Sequence, residues 1–357
     1  MKHSFEKTIT LILALVVGFG LVYRSVTMLD YELAGAHQAS LHEVRKDFFA
    51  SAKQKRVLEE ELQAVRDDMR MYHVVAGGDI MLDRGVKIRV MNPEIGNGDW
   101  TFPWHNINEV FRDADLAFGN LEGALSDIGS DTGKKYSFRF PVEAREGLTY
   151  AGFDLVSLAN NHMLDWGYDA LCDSVENVNE VGIGVVGAGC NQDESEAPYI
   201  AEFGDTRVAF VAFTEFYQGA VGTETRPGIT NYNLNHMIET VKDLKENQGV
   251  DIVMLSMHWG VEYKKRSNSA QQEMAKKLID AGLDVLIGHH PHVPQEIERY
   301  GDGWIIYSLG NLVFDQSWSE ETMMGLIADI QIQNGRVYDV TPIPIQLNKN
   351  YQPRVVE

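Results

Sequence analysis

Cysteine is nearly absent: the 357 residues hold only Cys172 and Cys190, and neither stands in a C-x-x-C or zinc-finger spacing. A thiolate metal cluster is thereby excluded. If residues 168–180 form a helix and 184–189 the strand after it, both thiols fall near one end of that unit. A disulfide stays open on that placement, while two small buried apolar side chains are the favoured reading. Positive excess is also missing. The net charge is −21; residues 1–71 carry ten Lys/Arg and ten Asp/Glu, which leaves 21 basic against 42 acidic side chains in the rest. Such a surface repels nucleic acid unless a bound cation reverses the local field. Gly187 and Gly189 make only GVVGAG, which is no dinucleotide fingerprint. Pro and Gly are absent from 37–71, which argues against a floppy linker there.

What is present begins with an uncharged apolar run, Thr8–Tyr23, with Lys2 and Lys7 before it and Arg24 after it. As a helix it covers roughly 24 Å against a hydrocarbon core of about 30 Å. That is short but workable, because flanking Lys and Arg snorkel and the bilayer thins. A cleaved signal peptide needs a small-x-small site just behind the apolar core; Gly18-Phe19-Gly20 lies inside it and Ala34-Gly35-Ala36 far downstream. The sequence therefore predicts a cytoplasmic tip and transmembrane signal-anchor over 1–36, with the remainder outside the cell membrane. Leu41, Val44, Phe48, Leu58, Leu62, Val65 and Met69 form a helical stripe. This predicts a helical stalk over 37–71, packed on itself, on a partner, or on the following domain. Ser51 and Lys55 fall in its heptad seam, so a long coiled coil is not required.

From residue 72 to 357 one theme repeats: a short aliphatic run, then a tight group of Gly, Asn, His or carboxylate residues. The instances are HVVAGGD (73–79), ADLAFGNLE (114–122), FDLVSLANNH (153–162), VDIVMLSMHWG (250–260), LDVLIGHHPH (283–292) and WIIYSLGN (304–311). These runs are too short for helices and read as buried strands. Helical patterns over 168–180 and 236–246 lie between some of them. The 44% hydrophobic content is ample for a sizeable core. The pattern predicts an α/β domain with a largely parallel sheet, or a pair of sheets, covered by helices. Ligands in such folds gather beyond the carboxyl ends of the strands, so the six clusters should converge.

Asp79, Glu122, Asn161, His162, His258, His290 and His292 supply carboxylate oxygen, amide oxygen and imidazole nitrogen, a ligand set suited to Zn, Mn or Fe. A divalent ion there would activate water and polarise a substrate oxygen, and His162 would stand ready to give a proton to a leaving group. A lone histidine after a strand is usually a core or loop residue; four of them at the ends of three strands are not so explained. Asn120 and Asn311 are candidates for lining the site, although turn chemistry is the commoner use of Asn311 and Asp315. Arg84 could clamp an anion or, with Asp83, scaffold its loop. Glu262, four residues after His258, could orient that histidine or merely be solvated. Asp165 and Trp166 read as loop-shaping and helix-capping residues.

At these motifs the chain resembles the bacterial capsule-synthesis protein CapA family, also called PgsA-like, associated with poly-γ-glutamate. The matching pieces are GDIMLDR (78–84), GNLEGALSD (119–127), LANNHMLDWG (158–167), MHWGVEY (257–263), GHHPHVPQ (288–295) and YSLGNLVFD (307–315), in family order. That family is similar to the calcineurin-type metallophosphoesterases, which implies a four-layer sandwich of two β-sheets flanked by helices. The resemblance implies Asp79, Glu122, Asn161, His258, His290 and His292 as metal ligands for one or two divalent ions, with Glu122 bridging and His162 as the catalytic or phosphate-contacting histidine. His289 is set aside, because His290 and His292 meet the H-x-H spacing. Two departures stand out: Met81 occupies the place of the usual first-motif histidine, and Glu122 that of an aspartate. Two functions follow as alternatives. One is a membrane-anchored metal-dependent hydrolase or transferase acting on a phosphoester or polymer bond. The other is a non-catalytic scaffold or polymer-binding subunit, partnered with other capsule or polyglutamate synthesis subunits.

Overall fold

The computed structural model describes residues 48–50, 52–59, 70–217 and 219–356. The chain divides after Arg66 into two units. Of the first, the described residues 48–50 and 52–59 are helical. The apolar run 8–23 and most of the expected stalk lie outside the described residues; among those described, no helix is long and apolar enough to cross a membrane.

Among the described residues of the second unit, fourteen strands make two large sheets. The chain lays down β1 (Tyr72–Ile80), β2 (Leu116–Leu121), β3 (Leu155–Ser157) and β4 (Gly184–Val186) side by side and parallel in the first sheet. It then crosses to the second sheet for β5 (Tyr199–Phe203), β6 (Thr206–Thr214), β7 (Ile252–His258), β8 (Val285–His289), β9 (Ile297–Tyr300) and β10 (Gly303–Ile306). It returns to the first for β11 (Asn311–Val313), β12 (Met324–Gln333), β13 (Arg336–Leu347) and β14 (Pro353–Val355). The expected parallel core is present, but each sheet has antiparallel margins: β12, β13 and β14 on the first, β5 and β9 on the second. The period-two alternation of β13, with one face exposed, is the pattern of an antiparallel margin.

Strand alternation distributes the apolar side chains over three clusters. Val74, Phe118, Phe210, Met254 and Ile287 meet between the two sheets. Outside the second sheet, Val253 and Leu255 pack with Met237, Val241, Met274 and Leu278, carried by α2 (Leu234–Glu246) and α3 (Ser269–Asp280). Outside the first, Val75, Ala117 and Val156 pack with Leu171, Val175 and Val178 of α1 (Gly167–Asn179). Asn233 starts α2 by accepting from the His236 amide, and Asn268 with Gln271 forms a capping box on α3, satisfying otherwise orphaned amides.

Cys172 and Cys190 are bonded to each other, with Cα atoms 4.8 Å apart. Both are half-buried, not the buried apolar pair that the sequence favoured. The bridge joins α1 to the segment after the short strand Ala188–Gly189.

Candidate metal centre

β1 changes neighbours at its carboxyl end. β12 flanks residues 72–76, whereas β11 flanks Asp79 and Ile80. Asp79 thereby sits in register with Asn120 on β2 and Asn311 on β11. On the second sheet, the last residues of β6, β7 and β8, namely Thr214, His258 and His289, are in register with one another. The chain then turns through His290 and His292 at φ of 96° and 58°. Such backbone is uncommon for residues with a Cβ, and here it carries both rings into the centre.

The Asn120 amide donates to Asp79 Oδ1 (2.8 Å) and lies 3.2 Å from His258 Nδ1. The other face of His258 meets Asn161: Nε2 is 2.8 Å from Asn161 Oδ1 and 3.2 Å from His290 Nδ1. The lone pairs of Asn161, His258 and His290 thus converge. A second group, Asp79, Glu122 and His292, brings its ligand atoms within 4.8 Å of one another, all buried. His292 Nδ1 lies 3.2 Å from Asp79 Oδ2, and its Nε2 3.7 Å from Glu122 Oε1. Glu122 is fully buried, and among the described residues neither of its oxygens has a hydrogen-bond partner. An unpartnered carboxylate among converging imidazoles is the donor chemistry of a divalent cation site, so the residues present fit one. Met81 is buried, and its sulfur accepts the Asp83 amide at 3.1 Å. That contact engages it locally and sets it apart from the ligand set.

Burial and mutual charge divide the protons unequally. Burial drives the Glu122 carboxyl well above its ordinary value. Burial also pushes Asp79 upward, but the neighbouring rings of His289 and His292 outweigh it and hold Asp79 well below. Burial disfavours charge on His292, yet Glu122 and Asp79 raise it to about 9. Burial and the charge of His292 depress His290 to about 3, and burial with His290 depresses His258. One buried ion pair, Asp79 with His292, is kept, and His258 and His290 are neutral.

His162 is stacked on Phe138 at 4.0 Å. Its Nδ1 is held 2.7 Å from Asp165 Oδ2, and its Nε2 lies 3.8 Å from Glu122 Oε1. Burial lowers its pKa against the opposing pull of Asp165. Asp165 does not cap α1, whose N-cap is Trp166 without a side-chain bond; it instead gathers His162, the Lys134 ammonium (2.6 Å) and the Phe138 amide (2.9 Å). The His162–Asp165 spacing of three residues was the available signal.

Other sequence expectations are redistributed. Arg84 is bound to Asp315 and lies over the Phe138 ring, and Asp83 accepts the Arg139 amide, so this pair scaffolds the loop behind His162. Glu262 is exposed and stands beside His290 and His292, within 4.8 Å of their ring nitrogens, in place of the expected role at His258. Asn311 does line the centre: Oδ1 is 3.0 Å from His292 Nδ1, and its amide donates to Gln316 Oε1 and the Thr322 carbonyl. His289, set aside in the sequence, is fully buried 3.5 Å from Asp79 Oδ1, and neither of its ring nitrogens is hydrogen-bonded among the described residues. Period-two alternation along β8, which turns Val285 and Ile287 toward the first sheet, points His289 the same way. A third cluster, Cys172, Glu176 and Cys190, offers no thiolate, because its sulfurs are bonded to each other.

Residues 73–316 match the family described as bacterial capsule synthesis protein PGA_cap. The chain belongs to that family. Capsule biosynthesis protein CapA of Bacillus anthracis is 33% identical to this PGA_cap chain over 75% of it and 66% of the relative, so the chain spans slightly under two thirds of that protein. PGA biosynthesis protein CapA of Bacillus subtilis is 30% identical over 75% of the chain and 70% of the relative. Among solved structures, the Haemophilus influenzae NAD nucleotidase superposes with a TM-score of 0.46 at 11% identity, over 81% of this chain and 54% of that one, a likeness too distant to carry an argument.

Proposed function

We propose that this PGA_cap protein is a membrane-anchored, extracytoplasmic component of capsule or poly-γ-glutamate synthesis or export whose centre hydrolyses or transfers at a phosphoester or polymer bond. The observation that carries the reading is a pair of adjoining donor groups, Asn161 with His258 and His290, and Asp79 with His292 and the Glu122 carboxylate, which has no hydrogen-bond partner among the described residues. A divalent cation held by these donors would polarise a substrate oxygen and acidify water. The chain's own part is proton handling and positioning. Asp165 fixes the His162 ring through Nδ1, which turns Nε2 toward the centre, where it can serve a leaving group. Phe138, packed on that ring and held by Asp165 through its amide, limits the ring's freedom.

The Cys172–Cys190 bond supports an oxidising compartment, independently of the apolar run at 8–23. The relatives' names as capsule and PGA biosynthesis proteins support partnership with that machinery. A metallophosphoesterase-type sandwich belongs to the same reading. The second reading, a non-catalytic metal-binding scaffold or polymer-binding subunit, is favoured by one feature, Met81 in place of a ligand histidine.

Elemental analysis of the full-length chain, with turnover of a bis-aryl phosphodiester, separates the two. We expect stoichiometric metal in the wild type and its loss in a His258→Ala, His290→Ala double variant. His162→Ala is expected to keep metal and lose at least about 100-fold in turnover. Absence of metal after reloading with zinc or manganese would sink the catalytic reading; metal without turnover would favour the scaffold.

A further inference from the structure

Aromatic side chains are exposed unevenly. Among the described residues from 70 to 356, five aromatic residues are strongly exposed: Tyr136, Tyr217, Tyr263, Trp318 and Tyr338. Four of them stand on loops around the carboxylate-histidine centre, so the exposure is local to one mouth. Tyr217 follows Phe216, whose ring lies 4.2 Å from that of His290, and the Lys134 ammonium sits 3.9 Å from the Tyr217 ring centroid. Tyr263 is 6.2 Å from the His292 ring, and Trp318, 62% exposed, meets Tyr263 edge-on at 5.8 Å. Tyr136 lies between Lys134, whose ammonium bonds Asp165, and Phe138, whose ring stacks on His162. Contiguous exposed aromatics at a polar centre mark a binding surface.

The polar groups of the rim select the ligand. Lys134 is already paired with Asp165, and Lys265 with Glu321. Around Tyr263 and Trp318, the cations Lys264, Lys265 and Arg266 are matched by Glu262, Glu320 and Glu321. A charge-balanced corner at Tyr263 and Trp318 gives a polyanion little attraction, whereas an exposed carboxylate such as Glu262 suits hydroxyls. Trp318 and Tyr263 stand at 82° to each other. A flat heterocycle can stack on one face of such a corner, but a puckered pyranose presents C–H bonds to both.

We propose that this rim is a glycan subsite, holding a pyranose unit of an uncharged polysaccharide against Trp318 and Tyr263, with its hydroxyls turned to Glu262. The fate of the bond beside that sugar rests on the catalytic reading above; binding of the sugar does not.

Chitotetraose and maltotetraose, both neutral pyranose chains, would be titrated calorimetrically into the full-length chain, metal-loaded and metal-stripped, with poly-γ-glutamate in parallel. Saturable binding of a neutral chain is expected in both states, weakened about tenfold or more by Trp318→Ala. Tyr338→Ala, at 61% exposure on a strand away from these loops, should leave it unchanged. Trp318 is a solvated side chain, and a circular dichroism spectrum like that of the wild type would show that its variant folds. Failure of both sugars to bind, or binding that Trp318→Ala leaves intact, overturns the subsite. So does Trp318-dependent binding of poly-γ-glutamate alone, which would give the rim to the anionic polymer. Sugar binding in a chain that takes up no metal upholds the subsite and defeats the catalytic reading; metal and turnover without sugar binding do the reverse.

Discussion

At the scale of single residues, Glu122 and His292 couple the centre to pH. In the metal-free chain His292 is raised from 6.5 to about 9 by Glu122 and Asp79 against the cost of burial. Its stabilising charge is therefore fully present below pH 6.5 and lost as pH rises through 9. Glu122, raised by burial, acts in the same direction: its native state holds a proton that the unfolded chain has released above pH 4.5, so stability falls as that proton leaves. Asp79, held low, contributes stability above its ordinary range and loses it only in acid. A cation ligated by His292 needs the neutral ring. The rise in melting temperature on adding zinc or manganese should thus grow between pH 6.5 and 9, and calorimetry in buffers of different ionisation enthalpy should register proton release. A constant rise across that range would refute the assignment of His292 as a ligand. Glu122→Gln should flatten the metal-free pH dependence and weaken metal binding by at least about 100-fold, read by competition with a chelator dye. The donor types were legible in the sequence because chemistry fixes them. His289 and Asp165 were not, because their parts depend on which way a strand face and a loop turn.

At the scale of elements, the centre depends on β1 approaching β11 without a side chain between them. A Cβ on Gly78 would stand 2.0 Å from the Gly310 carbonyl oxygen, the same oxygen that accepts the Asp79 amide at 2.9 Å. Gly78→Ala should therefore cost on the order of 3 kcal/mol in chemical denaturation and lower metal stoichiometry, since Asp79 moves with that bond. A variant of wild-type stability would show that the close approach is not required. The strands carrying the six motifs were visible as short aliphatic runs. The antiparallel margins were not, because β12, β13 and β5 end in no polar cluster and their pairing is set by partners far along the chain.

At the scale of the whole molecule, the disulfide and the two-sheet arrangement set what survives perturbation. The Cys172–Cys190 bond closes a loop of sequence separation 18. Reduction, or Cys172→Ser with Cys190→Ser, should lower stability by about 3 kcal/mol while metal stoichiometry stays at the wild-type value, because neither sulfur belongs to the carboxylate-histidine groups. Free thiol detected in the native chain before reduction would contradict the bond.

By itself the sequence determined the family, a largely parallel α/β core, the donor types on offer and the acidic excess. These are written in local runs, residue types and motif order, which need no knowledge of distance. The tertiary structure decided which histidine faces Asp79, that Asp165 serves His162, that two cysteines 18 residues apart meet, and that aromatics at 136, 217, 263 and 318 share one mouth. Each of these is a meeting of side chains separated along the chain by turns and crossovers. Only the packed sheets fix their distances, because burial and register, not residue identity, choose the partner.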